Sequence, residues 1–299
     1  MKRVMGVRQS KGDIIFEIAN HILLTIVLII VVYPLIFIIS ASFSSPTAVI
    51  RGEMWLFPVD FSLAGYVKVF ANKDIMTGYR NTIFYTVVGT TINLIMTIIA
   101  AYPLSRKSFY GRNIIMAIFT FTMFFNGGMI PTYLIIKDLN LLNNFWVMIL
   151  PGAVSIWNII IMRTFFQTSI PLEIEEAALI DGCSNIKTLT RIVLPLSAPI
   201  IAVMVLFYGV SHWNAFFNAL LYLSSRSKFP LQLFLREILI QNQLEGMIHT
   251  DVTTISEQES LAEVIKYAVI IVASAPMMLL YPFLQKYFVK GVMIGAIKG

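Results

Sequence analysis

Charge is scarce in this sequence. Only 13% of its 299 residues are Asp, Glu, Lys or Arg, while 58% are hydrophobic. A soluble domain carries roughly 25% charged residues, so the apolar excess is too large for one water-surrounded core and calls for lipid around the chain. Cysteine is nearly absent: Cys183 stands alone, which excludes an internal disulfide. Its neighbours Gly182 and Ser184 supply neither a base nor a metal ligand. His21, His212 and His249 are scattered without metal-ligand spacing, and no Ser/His/Asp grouping accompanies them. The phosphate-loop pattern G-x-x-x-x-G-K-[ST] is missing, which excludes ATP hydrolysis by that route. There is no internal repeat, heptad array or low-complexity stretch.

What the sequence does have is long apolar runs. Six of them, at about 18–41, 81–104, 113–136, 143–166, 197–223 and 264–288, are each long enough to cross a bilayer. They predict an all-α polytopic membrane protein with six transmembrane helices and both termini on one side. Ile22–Ile39 exceeds the apolar core of a signal peptide, so an uncleaved first span is expected. The organisation read from this is a tail at 1–17, a first helix and external segment at 18–80, a transmembrane core at 81–288 and a tail at 289–299.

The formal net charge of +6 bears on orientation rather than on nucleic acid. Lys2, Arg3, Arg8 and Lys11 precede the first span, and Arg106, Lys107 and Arg112 join the second to the third. Lys187 and Arg191 lie between the fourth and fifth, and Lys286, Lys290 and Lys298 near the C-terminus. These short basic segments, tails included, are expected in the cytoplasm of a cell membrane by the positive-inside bias. The segments 43–80 and 224–263 hold Glu53, Asp60, Asp74, Glu237, Glu245, Asp251, Glu257, Glu259 and Glu263, and are expected outside. Within the second of these, Leu231–Gln241 predicts an amphipathic helix with Leu231, Phe234, Leu235 and Ile238 on one face.

The segment from Ser169 to Pro195 is unusual. Ser169 is a capping candidate, Pro171 suits a first turn, and Glu173, Glu175 and Glu176 sit where the helix dipole favours acids. Gly182 suits a left-handed helix end, and Ser184 a second cap. Ile174, Ala177, Ala178 and Asp181 share one face of the first helix. The pattern predicts a helix–turn–helix with a shallow, acid-rimmed docking face. A helix lying on the membrane surface is the plainer alternative, but such helices favour Lys, Arg and bulky apolar residues.

Glu176-Ala177-Ala178, three residues, Gly182, nine residues, then Ile192-x-Leu194-Pro195 resembles the signature loop of bacterial ABC importer permeases. Asn81-Thr-Ile, Ala101-Tyr-Pro-Leu-Ser-Arg106, Trp213-Asn214 and the C-terminal Lys290–Gly299 resemble the maltose-type sugar permeases. Phe125–Tyr133 followed by Lys137–Leu142 resembles the second permease of complex-oligosaccharide systems in Gram-positive bacteria. The resemblance covers about residues 15–299 and implies the type I ABC importer transmembrane fold. It also implies that the loop, through Glu176, Ala177, Ala178, Asp181, Gly182, Ile192, Leu194 and Pro195, is a coupling helix docking on an ATPase. The implied partners are a homologous second permease, two ATPase subunits carrying ATP and Mg, and an extracellular solute-binding protein meeting 224–263. This chain itself would bind no cofactor or metal. The tail Lys290–Gly299 would reach the ATPase pair.

No Asp, Glu or Lys lies in the middle of a span, which disfavours proton- or sodium-coupled transport. In the fifth span Tyr208, Ser211, Asn214, Asn218 and Tyr222, spaced 3, 3, 4 and 4, fall within roughly a 120° arc. Hydroxyls, amides and aromatic faces suit a sugar path; interhelical hydrogen bonding is the competing role. Trp213 points the other way, toward packing. Gly89, Thr90, Asn93 and Thr97 read as close-packing positions of the second span, and Gly127-Gly128 before Pro131 as a kink in the third, either a hinge or static. The expected function is a carbohydrate importer permease working by alternating access. The alternatives are an ABC permease for another solute, a membrane enzyme acting on lipid-linked sugars, and a channel.

Overall fold

The computed structural model describes residues 10–248 and 257–296, with side chains at 10–240, 264–282 and 285. In chain order the helices are α1 (Lys11–Ser42), α2 (Pro46–Ile50), α3 (Ala64–Ala71), α4 (Lys73–Ser105), α5 (Arg112–Phe124), α6 (Met129–Asp138), α7 (Ile156–Ser169) and α8 (Leu172–Ile180). Then come α9 (Asn185–Thr188), α10 (Leu194–Leu196), α11 (Ala198–Trp213), α12 (Phe217–Tyr222), α13 (Leu231–Ile248) and α14 (Glu257–Ala296). Three helical segments (α1, α4 and Val264–Pro282) are long and apolar enough to cross a membrane singly; three bent pairs qualify as one span each. Two compact units divide the chain, 1–71 with 239–272, and 72–238 with 273–299.

In the first unit α1 starts earlier than the expected 18. A capping box fixes that start: Asp13 N–H donates to Ser10 Oγ at 3.2 Å, and Ser10 N–H to Asp13 Oδ2 at 2.8 Å. At the other end three buried serines anchor the segment that follows. Ser40 Oγ donates to the Leu56 carbonyl at 2.6 Å, Ser42 Oγ meets Tyr66 Oη at 2.8 Å, and Ser44 Oγ accepts from Val59 N–H at 3.1 Å. Gly65 lets α3 press on α14, since a Cβ there would lie 2.9 Å from Val264. α14 continues to Ala296, so the expected tail from 289 is helical to that point; 297–299 and the expected tail residues 1–9 lie outside the described residues.

The second unit is built on α4. Gly78, Thr82, Tyr85, Gly89, Asn93, Thr97, Ala101 and Leu104 recur at intervals of three or four and are all buried. Apart from Tyr85 and Leu104 these side chains are small or short, which lets α11 and α7 approach closely. One apolar cluster gathers near Tyr85 with Ile136, Val147, Tyr222, Leu233 and Phe234. A second gathers near Ala101 and Leu104 with Ile159, Met162, Phe166, Val193, Met204 and Tyr208. Thr82 Oγ1 accepts from Leu231 N–H at 2.8 Å, seating the start of α13. Leu231, Phe234 and Leu235 of the predicted face are buried; Ile238 is half-buried, and Leu233, outside that face, is buried as well.

Three expected spans are not continuous helices. α5 and α6 meet at 111° rather than forming one kinked third span. The cause is local: Gly128 takes φ +82°, its N–H is held by Asn126 Oδ1 at 2.9 Å, and Pro131 sits in the first turn of the helix that restarts. The fourth is a 3₁₀ stretch through Pro151 joined to α7 at 51°. The fifth enters through a π-helical stretch, Leu189–Val193, followed by an 83° bend between α10 and α11. Pro195 cannot donate to the Arg191 carbonyl one turn earlier, which explains the widened turn.

Candidate functional site

The predicted docking segment folds as two helices joined by a tight end. α8 has nine residues, and Pro171, not Ser169, stands at its N-cap; Ser169 is the last residue of α7. The chain turns at Ile170, because the residue before a proline is pushed out of helical geometry. Glu173 and Glu175 lie in the first turn, at the positive end of the dipole. At the far end Gly182 has φ +71°, Cys183 N–H donates to the Ala178 carbonyl at 2.9 Å, and Gly182 N–H to Leu179 at 3.0 Å. That pair of bonds is a Schellman stop. Ser184 Oγ then accepts from Lys187 N–H at 3.4 Å and caps α9.

One member of the expected face of α8 turns away from it. Ala178 is buried against its own chain, while Ala177 and Asp181 are exposed. The inward side carries Glu175, which forms an ion pair with Arg106 at the end of the second span; both side chains are almost covered, 13% and 12% exposed. Tyr102 lies under the same guanidinium at 4.7 Å. Leu179, Ile180 and Ile186 are 69%, 86% and 75% exposed, with Glu173 and Glu176 beside them; Leu179 and Ile186 also line the cavity between this helix and residues 102–109. The exposed surface therefore carries a branched aliphatic knob at Ile180 with an acidic rim, beside the exposed Ile174, Ala177 and Asp181. Between α8–α9 and residues 102–109 lies a cavity of about 620 Å³, lined by Arg106, Phe109, Glu175, Leu179, Ile186 and Leu189 among others. Ile192 and Leu194 are half-buried, and Pro195 is exposed before the bend.

The five polar residues of the fifth span do not form one stripe. α11 ends at Trp213, and the chain restarts as α12 at Phe217. Asn214 occupies the C-cap, its Nδ2 donating to the Val210 carbonyl at 2.9 Å, so the helical arc assumed for the group stops there. Tyr208 is buried and bonded to Thr97 at 2.6 Å between their hydroxyls. Tyr222 is buried, its ring stacked 6.0 Å from Tyr133. Ser211 and Asn214 are exposed, and Asn218 is half-buried. Trp213 does pack inward, donating Nε1–H to the Ala273 carbonyl at 2.9 Å.

Sequence reasoning missed three features. The Arg106–Glu175 pair joins residues distant in the chain; the only signal was Arg106 closing the motif that ends the second span. Asn143, at φ +52°, accepts from Ser224 and Ser225 N–H through Oδ1, and its own carbonyl accepts from Lys228. Arg226 reaches Asp74 at 2.8 Å and Glu237 at 3.0 Å. The hydrogen bond to Asp74, then the charge of Glu237, hold its guanidinium above the usual arginine range. Among the described residues no cluster of three His, Cys, Asp or Glu is arranged for a metal.

Comparison with known proteins identifies the family and the fold. Residues 75–294 match the family described as binding-protein-dependent transport system inner membrane component. Protein LplC of Bacillus subtilis is 41% identical over the full length of both chains. The polygalacturonan/rhamnogalacturonan transport system permease YtcP of the same organism is 41% identical, over 95% of this chain and 99% of its own. Among solved structures, a bacterial ABC transporter involved in import of the acidic polysaccharide alginate superposes with a TM-score of 0.84 at 36% identity, covering 95% of this chain and all of that one.

Proposed function

This chain belongs to the family of binding-protein-dependent transport system inner membrane components, and from that premise we propose that it is the permease subunit of an ATP-driven importer for oligosaccharides. The observation that carries the mechanism is α8: a short, capped helix whose outer side is an apolar, acid-rimmed knob and whose inner side is pinned to Arg106. Such a helix fits a groove on a partner and passes displacement inward. The carbohydrate substrate is supported by YtcP and the alginate importer, both named for polysaccharides.

In this reading both termini and α8 face the cytoplasm, as the basic loops favour. The chain pairs with a homologous permease. Two separate ATPase subunits hold ATP and Mg and close on the knobs, with Glu176, Ala177, Asp181 and Gly182 at the contact. This chain binds no cofactor. An external binding protein delivers the sugar near α13. ATP favours the outward state only through its higher affinity for that state. Ser211, Asn214 and Asn218 remain path candidates; Tyr208 and Tyr222 act as helix-to-helix ties.

The test is uptake and ATPase co-purification after replacing Glu176 or Gly182, with ATPase stimulation by a panel of sugars. Reduced coupling with stimulation by carbohydrate is the expected result. Normal assembly and transport in both variants would overturn the docking role, and stimulation by non-sugar solutes alone would overturn the substrate class.

A further inference from the structure

The break after Trp213 brings two of its own side chains, Asn214 and Phe216, beside two of α13. Asn214 Oδ1 accepts from Gln232 Nε2 at 3.3 Å. Gln232 and Arg236 stand one turn apart on α13, hence on one face. The Arg236 guanidinium lies 5.9 Å above the Phe216 ring, within reach of a cation–π contact. Arg236 is exposed and, among the described residues, forms no ion pair or hydrogen bond. Arg106 and Arg226, by contrast, are each matched to carboxylates.

Two amides and a guanidinium are costly against hydrocarbon, so this patch faces water or the partner permease. A neutral sugar is served by amides, hydroxyls and aromatic faces. It has no use for an uncompensated fork of N–H donors, whose natural complement is a carboxylate bound through two parallel bonds. The Phe216 ring lies beneath the guanidinium, and Asn214 and Gln232 offer donors and acceptors beside it.

We propose that Asn214, Phe216, Gln232 and Arg236 form a subsite for a uronic-acid unit of the transported oligosaccharide. Arg236 takes the sugar carboxylate, and Asn214 and Gln232 take its hydroxyls. The inference rests on the carbohydrate reading and makes the permease itself selective for acidic sugars, in addition to whatever the binding protein selects.

The test uses the complete transporter in nanodiscs, held with a nonhydrolysable ATP analogue and without binding protein. Equilibrium binding of trigalacturonate is compared with that of galactotriose. The wild type should prefer trigalacturonate by about tenfold or more, as a charge-assisted bidentate contact implies. Arg236→Gln should remove the preference and Arg236→Lys should keep part of it. If Arg236→Gln does not assemble, Gln232→Glu gives the same reading, because a carboxylate one turn away occupies the guanidinium. Equal affinities in the wild type, no binding of either sugar, or an unchanged ratio in the variants would overturn the subsite. Uptake with binding protein present separates the two levels: carbohydrate uptake without discrimination removes the subsite alone, and no carbohydrate uptake removes the parent reading too.

Discussion

The imidazole of His212 donates through Nε2 to Asn93 Oδ1 at 2.6 Å, and Asn93 Nδ2 donates in turn to the Gly152 carbonyl at 2.5 Å. One buried relay thus ties α11, α4 and the 3₁₀ stretch before α7. Room for the ring comes from Gly89, where a Cβ would lie 2.4 Å from His212 Nε2.

Gly89→Ala is expected to destabilise the chain by about 1–3 kcal/mol through overpacking, read as a fall in unfolding temperature in detergent. Because the two residues touch, Gly89→Ala with His212→Ala should cost less than the two single changes added together. Strict additivity would mean that the ring does not occupy that space.

Arg106→Ala leaves Glu175 nearly buried and unmatched. Breaking such a pair costs roughly 3–5 kcal/mol when both partners are fully buried, and somewhat less here, where each is slightly exposed. The double variant Arg106→Ala, Glu175→Ala should recover much of the loss. Co-purification of the ATPase and sugar-stimulated hydrolysis are the measurements, and a double variant worse than Arg106→Ala would remove the pair from the account.

Tyr208→Phe strands the Thr97 hydroxyl in the second apolar cluster. A loss of about 1–3 kcal/mol is expected, with the ratio of uptake rates for different sugars unchanged. A shifted ratio would return Tyr208 to the sugar path.

Gly182 has no atom near its missing Cβ, so the only cost of Gly182→Ala is its left-handed backbone. That cost is about 1 kcal/mol, and Gly182→Asn should be milder, since asparagine tolerates this region. Coupling efficiency should rank Gly, Asn, Ala; the reverse order would point to side-chain contact at this position.

Arg226→Gln removes two half-exposed ion pairs. Exposed pairs contribute only about 0–1 kcal/mol, so stability at physiological salt should barely move, and what change there is should shrink further as salt is raised. A large, salt-independent loss would show that Arg226 acts through its packing on Phe234, 5.0 Å from the guanidinium.

The sequence carried local information well. Six apolar runs, the cap at Ser184, the left-handed stop at Gly182 and the buried face of α13 follow from spacing and backbone preference, which act over a few residues. It carried direction poorly. The fifth-span stripe presumed a continuous helix, but Asn214 bonds back to Val210 and ends it, a choice between two local hydrogen-bonding schemes that periodicity does not register. Likewise Ala178 turns inward because Glu175, one turn before it, has Arg106 as a partner some seventy residues away. Pairings at that range leave no trace in composition or period.

α4 has one more consequence. Its 33 residues extend about 50 Å. One extremity holds Asp74, bound to Arg226; the other leads into Arg106, bound to Glu175. A single covalent rod therefore connects the ion pair that pins α8 to the ion pair at the opposite end of the same unit. The two ends of the unit thus share one hydrogen-bonded backbone, so their separation is set by helical rise and not by side-chain packing between them.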